Sequence, residues 1–167
     1  MRYILPVSRI ANLMQPSTVT TETAQRLWQA TCVLQRETSE RKAIGVAAPQ
    51  LAIRERMFWI AERVNKVYIN PFFTSETPLT PVPEGCLSVK GTKLLYVPRH
   101  STITASYTTL VCHKNNDIEI VQVTNEVLDG VVAQAFQHEL DHLNGVSILD
   151  VAVNLSREER RLYKSRN

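Results

Sequence analysis

Cysteine is scarce in this chain: Cys32, Cys86 and Cys112 are the only three in 167 residues. An odd, sparse set builds no disulfide framework and fits a reducing compartment. Long apolar runs are missing as well, so no segment reads as a membrane span. Met1-Arg2-Tyr3-Ile4-Leu5-Pro6 is too short, and too soon broken by proline, for a secretory signal; secretion is not expected. No basic patch is interleaved with aromatics, which leaves nucleic-acid binding without a motif. Net charge is only +3. The one dense charged stretch, near 157–166, sets Arg157, Glu158, Glu159, Arg160, Arg161 and Lys164 at helical spacing, the pattern of a solvated terminal helix. There is no repeat, low-complexity tract or linker. One domain over residues 1–167 is expected, and the 44% of hydrophobic residues is enough for a core.

Residues 1–19 read as extended or loop-like, because Pro6 and Pro16 interrupt any helix. Thr20 or Thr21 can cap a helix running to about Thr38, with a stripe of Ala24, Leu27, Trp28, Thr31, Val33 and Leu34. Cys32 lies in this helix and is expected to be a small buried residue. Stretches 56–60, 66–69, 94–97, 101–108 and 118–123 read as strands, Asn70-Pro71 ends the second of them, and 73–83 reads as a proline-rich loop. Strands that precede and surround one apolar helix give the α+β class.

That helix carries Gln137-His138-Glu139-Leu140-Asp141-His142. Asp129 can cap it, Val131, Val132, Ala135, Phe136 and Leu140 recur at helical spacing, and Gly145 suits a left-handed stop. Positions i and i+4 share one helix face, so His138 and His142 can reach one metal ion. Glu139 sits about 100° round from His138, placed to take a proton rather than to ligate first. This is the H-E-x-x-H pattern of metal-assisted hydrolysis.

A catalytic zinc-type site takes a third protein ligand, and three candidates compete for it. In one zinc-peptidase class a histidine follows at a fixed distance; Gly145 fits that pattern, but the last position is Ile148, which cannot ligate. In another class a glutamate comes from a later helix; Glu158 and Glu159 stand at a suitable distance, but in the charged terminal segment. Cys86, in Glu84-Gly85-Cys86-Leu87-Ser88, offers a soft ligand for zinc or ferrous iron. Upstream, Gly45-Val46-Ala47-Ala48-Pro49-Gln50 is small and apolar. On the residues alone, Gln50 is equally well a surface amide or a donor aimed into a site beside that run.

Three motifs in order, the run ending Ala47-Ala48-Pro49-Gln50, then Glu84 to Ser88, then Gln137 to Leu143 with Asn144-Gly145, resemble the peptide deformylase family over roughly residues 20–153. Tyr96-Val97-Pro98-Arg99 also looks family-like. There are departures. Ala43 stands where a glycine is usual, Val89-Lys90-Gly91 replaces an apolar-proline continuation, and Gln134 occupies a position that is often apolar.

The resemblance implies antiparallel sheets packed around a central H-E-x-x-H helix, with an N-terminal and a short C-terminal helix. It implies hydrolysis of the N-formyl group on the formyl-methionine of new polypeptides, releasing formate. Cys86, His138 and His142 would hold one divalent metal: iron in the cell, zinc or nickel in a purified sample. Glu139 would serve as base, and the Gln50 amide and Leu87 N–H would face the formyl oxygen. Ile44, Gly45 and Val46 would pair with substrate backbone, while Ile44, Val131 and Ala135 would line a methionine pocket. Formylated nascent peptides are the expected partners, with the ribosome a further one. The expected location is a bacterial-type cytoplasm or an organelle matrix. The rival readings are an H-E-x-x-H metallopeptidase, which needs neither Cys86 nor Gln50, and a structural metal protein closed by Cys112 or His113.

Overall fold

The computed structural model describes residues 4–5, 15–89 and 94–164. The expected extended course of 6–14 and the departure at Lys90 and Gly91 lie outside them. Helix α1 (Thr21–Arg41) opens on Thr20, which trades hydrogen bonds with Thr23 in a capping box. It runs past Thr38 and stops at Lys42, whose φ of 52° is left-handed. Its buried stripe is Ala24, Leu27, Thr31, Leu34, Glu37 and Thr38. Cys32 falls off that stripe and is exposed, against expectation: it lies next to Thr31 in sequence, about 100° round the helix from the buried face.

Strands β1 (Gly45–Ala47), β2 (Met57–Ile60), β3 (Lys66–Thr74), β6 (Thr102–Cys112) and β7 (Ile118–Asp129) form one antiparallel sheet in the order β1-β2-β3-β6-β7. A 3₁₀ turn, Ala48–Leu51, follows β1. Strands β4 (Leu79–Glu84) and β5 (Leu95–His100) pair separately. The loop expected over 73–83 is therefore strand at Phe73 and Thr74, the end of β3, and again from Leu79 onward. Prolines are tolerated there because a two-stranded ribbon has only edge strands, and Pro81 sits opposite Pro98. Asn70-Pro71 does not end β3 either; a register shift between Ile69 and Phe72, with Asn70 at φ 51°, carries the strand past the proline.

Strand β2 is buried at every residue, and its alternate side chains feed two cores. Phe58 and Ile60 join Tyr68, Phe136, Leu140 and Leu143 on one face. Met57 and Trp59 join Leu27, Leu34, Val46 and Val67 on the other. The sheet is thus covered by α1 on one side and by α2 (Gly130–Leu143) on the other. Phe136 meets Phe58 and Tyr68 edge-on, each ring pair 5.2 Å apart. Asp129 holds the cap position of α2, but its side chain makes no capping bond. Gly130 turns the chain at φ 53° and Gly145 ends it at φ 74°. The stretch after α2 forms the short helix α3 (Ile148–Val151), and α4 (Arg157–Lys164) follows. No helix among the described residues is long and apolar enough to cross a membrane.

Candidate metal centre

Helix α2 brings His138 and Glu139 to a cavity of about 430 Å³, with the buried His142 one turn further along the helix. Cys86 arrives from the turn just after β4, and its Sγ lies 3.3 Å from His142 Nε2. One ligand atom from each of Cys86, His138 and His142 falls within 4.8 Å of the others, and no other such group occurs among the described residues. His138 turns Nδ1 to Glu84 at 2.9 Å, which leaves its Nε2 for the shared point.

Glu84 is the anchor that sequence reasoning missed. Its two oxygens accept from Arg99 Nε at 2.9 Å and Nη2 at 3.0 Å, and Arg99 Nη1 reaches Asp141 at 2.6 Å. Burial alone would raise the Glu84 carboxyl. The hydrogen bonds from His138 and Arg99 outweigh it and hold the group down at about 2. The signal was present: Glu84 opens the cysteine motif, Arg99 closes the Tyr-Val-Pro-Arg run, and Asp141 lies inside the histidine motif. Two further ties fix the helix. Gln137 bonds the His100 backbone in both directions, at 3.0 and 2.9 Å. Arg56 caps the far end at Leu143 O and Asn144 Oδ1, at 3.2 and 2.8 Å.

The donor set fits a cation. Burial and the neighbouring His138 push His142 down to about 3, which keeps its ring neutral and its lone pair available. At His138 the cost of burial is outweighed by Cys86 and Glu84, which raise it to about 10. The surroundings therefore favour positive charge at the point where a metal would supply it. One soft sulfur with two imidazoles suits zinc or ferrous iron. Burial lifts Glu139 to about 7 against the pull of His138, and its Oε2 is buried with no partner. A carboxylate so placed is suited to exchange a proton with whatever enters the cavity.

Of the expected site residues, Ile44, Gly45, Gln50, Leu87, Val131 and Ala135 line the cavity with Cys86, His138 and Glu139. Gln134 also lines it and donates to Pro83 O at 3.3 Å. His142 is buried outside that lining, and Val46 is the other exception. Alternation along β1 turns its side chain into the α1-facing core, so only its backbone remains for a ligand. Gly45 is glycine for a visible reason: a Cβ there would sit 2.9 Å from Glu139 Oε1 and 3.0 Å from Trp59 O. Ile148, at the position where a histidine would serve another class, is buried and packs in one cluster with Cys86 and Val97. Glu158 and Glu159 are exposed on α4. His113 is paired with Glu119 at the surface, 2.8 Å away.

An α+β framework with a Cys–His–His cluster that could hold a metal ion, set beside an apolar cleft, defines the class. The match to known proteins is narrower. The family model described as polypeptide deformylase matches residues 6–158, and the chain belongs to that family. It is 35% identical over 124 residues to peptide deformylase 2 of Nostoc sp., covering 67% of this chain and 64% of that protein. To peptide deformylase 2 of Bacillus subtilis it is 39% identical over 119 residues, covering 66% of this chain and 60% of the relative. The chain thus spans under two thirds of these curated relatives. Among solved structures, the peptide deformylase of Thermotoga maritima superposes with TM-score 0.73 at 28% identity, over 92% of this chain and 99% of that one. The enzyme of Synechococcus elongatus in complex with actinonin gives 0.70 at 29% identity, over 99% and 85%.

Proposed function

We propose that residues 1–167 form one catalytic domain that hydrolyses the formyl group from the N-terminal formyl-methionine of new polypeptides. The observation that carries this is the placement of three ligand atoms within 4.8 Å of one another beside the buried Glu139 carboxylate, whose Oε2 has no hydrogen-bond partner. Cys86, His138 and His142 would hold one divalent ion: iron in the cell, with zinc or nickel accepted in purified protein. Bound there, the ion lowers the pKa of water and attracts developing negative charge.

The chain's own groups do the rest. Glu139 takes a proton from the attacking water and passes it to the peptide amine as the C–N bond breaks, so the products are formate and a free N-terminus. The Gln50 amide, with the Leu87 N–H, faces the formyl oxygen as charge builds on it; one such donor is typically worth about 3 kcal/mol. Strand β1 is the edge of its sheet, and the backbone at 44–46 offers that edge to an extended peptide. Ile44, Val131 and Ala135 supply the apolar wall for the methionine side chain. Nascent formylated chains are the substrate, emerging from a ribosome in a bacterial-type cytoplasm or an organelle matrix. The test is formate release from a formyl-Met peptide by iron-loaded protein handled without oxygen. One formate per free amine is the expected outcome; metal-replete protein that leaves the formyl peptide intact would end the proposal.

A further inference from the structure

Gln50 is held by a one-way chain of hydrogen bonds. Ala47 N–H can only donate, so the Gln50 atom 2.9 Å from it is the carbonyl Oε1. That fixes the amide's other end: Nε2 donates to Ser88 Oγ at 2.9 Å. Ser88 Oγ, having accepted, donates in turn to the Leu5 carbonyl at 3.1 Å, and a carbonyl can only accept. Leu5 also donates its own N–H to the Gln50 backbone carbonyl at 2.9 Å. Both ends of the chain are backbone groups of fixed polarity, so a flipped amide would set two donors against each other at Ala47. Nε2 carries two hydrogens; Ser88 takes one, and the other is left for the cavity that Gln50 lines.

From this geometry we infer that Ser88 is a positioning residue for the reaction. Its hydroxyl, tied to Leu5, locks the Gln50 amide with the second Nε2 hydrogen toward the substrate carbonyl. The inference rests on the reading of Gln50 as a donor to the formyl oxygen. An amide free to rotate spends part of its time with Oε1 toward that oxygen, which repels it, so the benefit of preorganisation is lost. The effect belongs in kcat, since the charge that Gln50 meets develops only in the transition state.

The experiment combines kinetics with an observation that needs no turnover. Ser88→Ala should lower kcat about tenfold with KM little changed, while Ser88→Thr, which keeps a hydroxyl, should recover most of it. In a Gln50→Ala background, Ser88→Ala should add almost nothing, because its route of action is already gone. In zinc-loaded, ¹⁵N-labelled protein, the Gln50 side-chain amide should exchange slowly with solvent and faster in Ser88→Ala, with one metal retained per chain. Unchanged kcat in Ser88→Ala would overturn the inference. So would equal losses with and without Gln50, or metal lost from Ser88→Ala, since either places the hydroxyl's role at the Cys86 turn. Wild-type protein that releases no formate would sink the deformylase reading instead, and the exchange rates would still decide whether Ser88 holds the amide.

Discussion

Helices α1 and α2 cover opposite faces of one sheet, and each buries polar side chains within an apolar stripe. They satisfy those groups differently. On α1, Thr31 and Thr38 donate to carbonyls one turn back, Leu27 O at 2.9 Å and Leu34 O at 2.7 Å. Glu37 meets Arg41 on the same helix at 3.0 Å. The two threonines are satisfied by their own helix. On α2, Gln137 also bonds one turn back, to Ala133 O at 3.0 Å, but the other polar groups look outward: His138 to Glu84 on β4, His142 to Cys86, Asp141 to Arg99 on β5. Glu139 Oε2 has no partner at all. A buried polar group answered by its own helix is part of the framework. On α2 the groups answered by other elements, and the unanswered Glu139 Oε2, gather where a ligand could meet them.

The contrast can be broken by substitution, and the effects should fall in order. His142→Ala should cost the most. It removes a ligand, so metal content measured by plasma mass spectrometry should drop from one per chain to near none, and activity with it. Glu139→Gln keeps shape and metal but cannot accept a proton; formate release should fall by at least about 10²-fold. Glu84→Gln leaves all three ligands in place but weakens the hold on His138. Competitive chelation should report metal affinity lower by about 10- to 100-fold. Thr31→Val, the matching change on α1, should cost no more than about 1 kcal/mol in a urea titration and leave turnover alone. A large loss of activity from Thr31→Val would erase the distinction between the two helices.

The same distinction explains what the amino-acid sequence revealed. The metal helix was legible because its spacing is local: two imidazoles and a carboxylate within one turn. The third ligand was not, since Cys86 stands 56 residues from His142. Local reasoning removed Ile148 but left Glu158, Glu159 and Cys86, and the order of motifs rather than any spacing favoured the cysteine. The Glu84–Arg99–Asp141 chain was invisible for the same reason, its members being 15 and 42 residues apart on three elements. Misread elements have local causes. Prolines suggested a loop over 73–83, and pairing in a two-stranded ribbon overrode that. Asn70-Pro71 looked like a strand end, and a bulge accommodated it. Composition placed Cys32 inside, but its azimuth on α1 placed it outside. Val46 was expected to meet substrate through its backbone, and strand alternation sends its side chain into the core facing α1.

The account stands on one ligand set, and X-ray absorption at the zinc edge of zinc-loaded protein reads that set directly. One sulfur at about 2.3 Å and two imidazole nitrogens at about 2.0–2.1 Å are expected, with the sulfur shell lost in Cys86→Ser. A first shell with no sulfur, or one whose sulfur survives Cys86→Ser, would contradict the assignment of Cys86, His138 and His142 as the metal's ligands.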